Sequence, residues 1–320
     1  MSSPPTDSNT SNTSTAQPAS IGAIALMVIA VGMFGFLDAT AKYLAQSLPV
    51  LQVVWMRFIM HLVLAVIFLQ IWKGFDRFVT KRPLLQISRG LFLLGTTAFN
   101  FWALLYLQLA ETSSIMFAGP IVVAALAVPL LGEKVGPRRW AAILVGFIGV
   151  LIVTRPGLDG LGWPALISVG SMVSFALYSL ATRVLAQTEN EAGLVLFTAL
   201  VPALAMAPWA IAIWQWPTDV LSWALMLATG ILGGGGHWLL IKAHQGAGAS
   251  TLAPFMYTQI VWMVLLGWLV FADIPTLWTV VGASIIIGSG LYLLYREEVV
   301  RRRAKAHSGA GTTTSRDLPT

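Results

Sequence analysis

Three residues in the first sixty, Asp38, Lys42 and Arg57, have the types and spacing to do chemistry in an otherwise apolar stretch. Asp38 and Lys42 are four apart and share a helix face. A short turn at Gln46–Pro49 lets the chain fold back, and Asp38 and Arg57 lie at similar distances on either side of it. An antiparallel hairpin therefore predicts an Asp38–Lys42–Arg57 cluster in the outer half of a membrane. An uncompensated charge at such a depth costs several kcal/mol, on the order of 3 on insertion scales, so each group needs partners. Two readings stand side by side. One is an outer gate or a site for a carboxylate-bearing or zwitterionic solute. The other is a structural ion pair whose lysine reaches out to the interface.

Polar aromatic residues form a second set of candidates. Asn100, Trp102 and Tyr106 fall on the third apolar span, Tyr178 on the sixth, Trp238 on the eighth, and Tyr257, Gln259 and Trp262 on the ninth. Tyrosine and tryptophan offer an apolar face and one hydrogen bond, which suits amphipathic or flat solutes. Trp102 and Tyr106, four apart, are expected to share a face. Trp72, Trp140, Trp163, Trp216 and Trp278 are expected to be interfacial anchors. His61 and His237 are embedded histidines. His237 follows Gly233-Gly234-Gly235-Gly236, which allows either close helix packing or an unwound helix around a ligand. As a titrating group His237 suits proton carriage. A hydrogen bond to a backbone carbonyl is the plainer expectation. Pro120, Pro129, Pro202, Pro208 and Pro254 break helix hydrogen bonds, as hinges or as static kinks. Pro275 is expected to start a helix.

These residues must be positioned by membrane helices. Hydrophobic residues make up 57% of the 320, charged residues 10%, and the mean hydropathy is +0.79, values that a soluble globule does not reach. Charge-free runs at 90–110, 112–132, 160–182, 192–218, 220–241, 245–272 and 274–295 each reach the roughly 20 residues that span ~30 Å of hydrocarbon. Three more spans near 21–45, 50–72 and 136–154 carry charges, and with them ten helices are expected. Residues 1–19 lack the basic start of a secretory signal and read as disordered, as does the basic tail 296–320. The absence of cysteine removes disulfides, thiolate metal sites and thiol catalysis.

The chain is also written twice, with an offset of about 140 residues. Phe34, Lys42, Leu44, Ala45 and Gln46 recur as Phe175, Arg183, Leu185, Ala186 and Gln187. Gly90, Gly95, Ala103 and Met116 recur as Gly230, Gly235, Ala243 and Met256, and Glu133 meets Asp273. The counterparts of Asp38, Lys42 and Arg57 are Ser179, Arg183 and Thr198, so the carboxylate belongs to one copy only. Lys73, Arg77, Lys81, Arg82, Lys134, Arg138, Arg139, Arg183, Lys242 and the Arg296–Lys305 cluster collect on one side, which places both termini in the cytoplasm. The net charge of +6 then reads as orientation and contact with anionic lipid, and not as a nucleic-acid footprint. An odd number of spans per copy inverts the second copy. Inverted repeats put a binding site near the midplane and alternate access to it by rocking.

The first half closes on Leu131-Gly132-Glu133-Lys134, Arg138-Arg139-Trp140, Gly146 and Gly149. The second closes on Ala253-Pro254-Phe255, Gly267 through Trp278, Gly282, Gly288 and Gly290. These segments, with Arg57-Phe58 as a further match, resemble the drug/metabolite transporter superfamily, and within it the EamA-type transporters. Ala272-Asp273 stands where the family more often has Gly-Glu. The resemblance covers about residues 20–295. It implies an all-α integral membrane protein of ten helices in two inverted five-helix repeats, 20–155 and 160–295, that moves small organic metabolites. Amino acids, nucleobases, vitamins and S-adenosylmethionine are the range it implies.

The rival reading is an integral membrane enzyme acting on a lipid or lipid-linked substrate. It lacks a second embedded carboxylate, a ligand-spaced histidine set and a phosphate loop. No cofactor, metal or ATP site is expected, so flux is facilitative or gradient-driven. The expected partners are the solute and the bilayer, and a homodimer is compatible with them.

Overall fold

The computed structural model describes residues 21–74, 78–132, 136–155, 160–246, 252 and 255–310, and these are helical apart from turns and links. The expectations for residues 1–19, 311–320, Glu133, Lys134, Arg77 and Pro254 lie outside them. The helices are α1 (Ile21–Leu44), α2 (Val50–Leu69), α3 (Pro83–Ala103), α4 (Leu109–Met116), α5 (Gly119–Leu131), α6 (Pro137–Thr154), α7 (Trp163–Leu185), α8 (Glu191–Ala212), α9 (Val220–Gly246), α10 (Gln259–Phe271) and α11 (Leu277–Ala310). Seven helical segments are long and apolar enough to cross a membrane, counting α4 and α5 as one, and Trp140–Thr154 and Gln259–Phe271 are shorter apolar helices. α11 runs on past Tyr295, where the sequence reading began the tail.

The most extensive helix contacts pair α1 with α9, α3 with α7 and α6 with α11, and α2 lies against α8 and α9. Under the offset, α1 corresponds to α7 and α3 to α9, so the first two pairs are copies of one arrangement. Close approach follows from glycine. Gly32 and Gly35 of α1 take the Trp262 ring of α10, and Gly149 and Gly282 bring the α6 and α11 backbones together. The four glycines 233–236 lie within continuous α9 and face Arg57, His61, Met33 and Phe34 in turn. They serve close packing of α9 on α1 and α2, and the helix is not unwound.

Two breaks were not foreseen as such. Span four stops at Met116, turns through Phe117 and Ala118, and restarts at Gly119-Pro120. In the second copy the helix at Phe255 and Met256 turns through Tyr257 and Thr258 before α10. The rings of Phe117 and Tyr257 meet edge to face at 5.2 Å. Pro129, Pro202 and Pro208 sit inside unbroken helices. Pro275 lies in the non-helical link 272–276, and Thr276 caps α11 by accepting from the Thr279 amide at 3.2 Å. That hydroxyl explains the helix start, which the sequence reading assigned to Pro275.

One end of the bundle holds the α1–α2, α3–α4, α6–α7, α8–α9 and α10–α11 links. There Gln52, fully buried, clamps the backbone of Gln215 by donating to its carbonyl at 2.7 Å and accepting from its amide at 2.9 Å. Trp214, Trp216 and Trp223 cluster beside Trp55. Asp219 caps α9, accepting from the Ser222 amide and hydroxyl, each at 2.7 Å. These bonds hold its carboxyl below the ordinary carboxylate range. The cap therefore contributes stability above the unfolded value, about 3.9, and loses it as pH falls through the lower folded value. Asp219→Ala should lower the thermal midpoint at pH 7, and the gap to wild type should close in acid.

Candidate functional site

A column of polar groups runs down the bundle between α1, α2, α3, α7, α8 and α9. At its upper level Asn100 of α3 donates its amide to Asp38 Oδ1 of α1 at 3.0 Å. One turn along α3, Thr97 accepts from Arg57 Nη1 of α2 at 2.8 Å. Arg57 is buried, its Nε finds no acceptor, and Gly233 of α9 lies opposite that edge of the guanidinium. Asp38 and Arg57 attract each other, yet they do not form an ion pair. The guanidinium also lies 4.6 Å from the centre of the Phe58 ring.

Below Arg57 the two embedded histidines meet. His61 and His237 stack with centroids 6.0 Å apart and planes 10° from parallel, and Phe34 meets His237 edge-on at 5.0 Å. His237 thus packs among rings rather than on the carbonyl the sequence suggested. At the lowest level Arg89 of α3 donates to Thr182 and Thr198 hydroxyls, both at 2.7 Å, to the Leu194 carbonyl at 3.0 Å and to Gln86 at 3.3 Å. Tyr178 Oη takes a longer bond at 3.4 Å, with its ring 5.1 Å from the guanidinium. Arg89 is therefore saturated by neutral oxygens and ties α3 to α7 and α8. Sequence reasoning passed over it because it stands just outside the charge-free run 90–110.

Lys42 does not join Asp38 and Arg57 as expected. Its ammonium sits 2.8 Å from Asp273 Oδ2 and 2.9 Å from the Leu107 carbonyl, over the Phe271 ring. The physical reason is reach: Lys42 lies in the last turn of α1, where its stem extends to the interface and to the α10–α11 link. The pair joins α1, the α3–α4 link and the α10–α11 link across the end of the column. Glu111, buried at the start of α4, accepts from the Gln108 amide at 2.9 Å and lies within electrostatic reach of this pair and of Arg155. It was missed because it interrupts two apolar runs and reads as a loop charge.

Of the aromatic candidates, only Tyr178 faces the column. Trp102 is 45%, Tyr106 53% and Trp238 54% exposed, on the outside of the bundle. Tyr106 lies past the end of α3, not on Trp102's face, and packs on Trp163 at 4.8 Å as part of an interfacial belt. Tyr257 is buried with Phe117 and Ile286 in a second apolar cluster, and Gln259 opens α10 just after the break. Trp72, Trp140, Trp163, Trp216 and Trp278 are all exposed, as anchors should be. Among the described residues no group of three or more His, Asp or Glu is placed to hold a metal ion.

The chain matches the EamA-like transporter family twice, over residues 21–155 and 162–296. It belongs to that family. This EamA-like chain is 29% identical over 262 residues to the S-adenosylmethionine uptake transporter of Rickettsia bellii, covering 82% of this chain and 89% of the relative. It is 31% identical to the riboflavin transporter of Vibrio cholerae, over 64% of this chain and 69% of that one. A pseudopaline exporter of Pseudomonas aeruginosa is 24% identical, over 82% and 93%. A crystal structure 22% identical in sequence, matched over 85% of this chain and 96% of its own, superposes with a TM-score of 0.56 and shows the same fold. The protein is a multi-pass inner-membrane transporter of small metabolites and not an enzyme.

Proposed function

We propose that this EamA-like protein moves its solute by alternating access around the Asp38–Arg57 column. Ten spans form two inverted five-helix repeats, 20–155 and 160–295, with both termini cytoplasmic, and the Lys42–Asp273 pair closes the periplasmic end. Pairing α4 with α5, and the Phe255–Met256 helix with α10, gives five spans per copy. The observation that carries the reading is a pair of opposite charges inside the helix bundle, Asp38 and Arg57, each held by a neutral side chain of α3 rather than by the other. Uptake and export names both occur among the relatives, so the gradient sets direction.

The test is flux into liposomes holding the purified full chain, with labelled S-adenosylmethionine and riboflavin as probes. Saturable counterflow of either supports the reading. Monodisperse protein that moves neither, while a known relative in the same liposomes does, sinks it.

A further inference from the structure

We infer that the outer face of α10 binds a phospholipid with a primary-amine head, one acyl chain lying along the helix and the ammonium bonded to Asp273. The inference needs only a membrane protein and is independent of which solute passes the column. α10 packs one side on α1 and α4 and leaves the other bare. On that bare side Ile260, Val264, Leu265 and Trp268, four and eight residues apart along one stripe, line a groove of about 590 Å³ that Ile274 and Pro275 close at one end. From Ile260 to Trp268 the helix rises roughly 12 Å, close to the ~15 Å depth of one leaflet's hydrocarbon.

Asp273 is the one charged residue lining this groove among the described residues. The backbone puts it there. Ala272 adopts a left-handed conformation, φ 56°, and the Asp273 amide donates back to the Gly267 carbonyl at 3.0 Å. The chain so folds onto the helix end, and the carboxylate stands at the end of the stripe with its side chain 24% exposed. A carboxylate at the edge of hydrocarbon needs cationic partners. Lys42 takes Oδ2 at 2.8 Å, while Oδ1 accepts no hydrogen bond among the described residues. A carboxylate has acceptor sites for both at once. A primary ammonium can donate a charge-assisted bond to Oδ1, a trimethylammonium has no N–H to give, and an anionic head is repelled. A second copy of this chain fits the groove poorly, because a two-fold contact through α10 turns one Asp273 toward the other.

The test places the full chain in nanodiscs of equal phosphatidylethanolamine and phosphatidylcholine with matched acyl chains, then counts the lipid retained in detergent by native mass spectrometry. Wild type should retain phosphatidylethanolamine at least fivefold over phosphatidylcholine. Asp273→Asn should bring the ratio to about one, and Asp273→Glu should keep most of the preference. Lys42→Met breaks the same ion pair but leaves the carboxylate, so it should keep the preference too. Val264→Trp, which fills the groove without changing charge, should lower retention of phosphatidylethanolamine in monodisperse protein. Equal retention of the two lipids by wild type overturns the proposal. So does an equal loss in Lys42→Met and Asp273→Asn, which would mark the effect as loosened packing. A dimer that Val264→Trp converts to a monomer, with retained lipid unchanged, overturns it in favour of a second copy.

Discussion

Gly230→Val is expected to abolish accumulation of folded protein, whereas Gly288→Val should be nearly silent. A Cβ at Gly230 would overlap the Met60 Cβ and come within 3.0 Å of its Cα and 3.1 Å of the Arg57 carbonyl oxygen. These are backbone atoms of α2 and cannot swing aside as a side-chain tip can. Overpacking costs about 1–3 kcal/mol where side chains can adjust, and a helix backbone in the way sets the cost at or above the top of that range. The Arg57 carbonyl is one of the obstructing atoms, so separating α9 from α2 also displaces the column. Gly288 lies at the other extreme, with nothing within 4 Å of the added carbon, and should stay within about 0.5 kcal/mol of wild type. The two variants are compared by monodisperse yield in detergent and by thermal midpoint. Equal midpoints would mean that α2 and α9 are not packed as described.

Asp273→Asn should open the column at the Lys42 end. The pair is part-buried, with side chains 13% and 24% exposed. Its loss falls between the ~0–1 kcal/mol of surface pairs and the ~3–5 kcal/mol of buried pairs missing a partner. About 2 kcal/mol is a fair value, which is roughly a 30-fold shift between closed and open forms. The chain has no cysteine, so Asn100→Cys reports on the column without background. Added from the Lys42 side, an impermeant thiol reagent should label Asn100→Cys at least tenfold faster once Asp273→Asn is present. Combining Lys42→Glu with Asp273→Lys should slow labelling again. Unchanged labelling would show that this pair does not limit entry.

The sequence made the membrane helices and their doubling visible because apolar runs and a fixed offset are local and additive signals. It located Asp38 and Arg57 at one depth from a hairpin argument, and the structure places both in the column. It failed for Lys42, since a long flexible stem chooses partners by reach, and Asp273 is far away in the chain. It failed for Arg89 and Glu111 for a different reason. A charge at the edge of an apolar run looks the same whether it ends the helix or is enclosed by neighbours. Trp102, Tyr106 and Trp238 were read as lining because residue type says nothing of which side a helix turns inward. The helix breaks were legible only in part: Pro120 stands just after one and Pro254 just before the other in the sequence, but a proline does not say whether a helix kinks or stops.

The contact between Phe117 and Tyr257 joins equivalent positions of the two copies, and this has a consequence in terms of invariance. If two opposite-facing states interchange by swapping the roles of the copies, the operation relating them is a rotation. Points on a rotation axis stay where they are. A contact between a residue and its own counterpart lies at such a point and keeps its partners in both states. The Lys42–Asp273 pair lies off it and must trade places with its counterparts, Arg183 and Glu133, the latter outside the described residues. A covalent tether across Phe117 and Tyr257 should leave transport running, while one across Lys42 and Asp273 should arrest it.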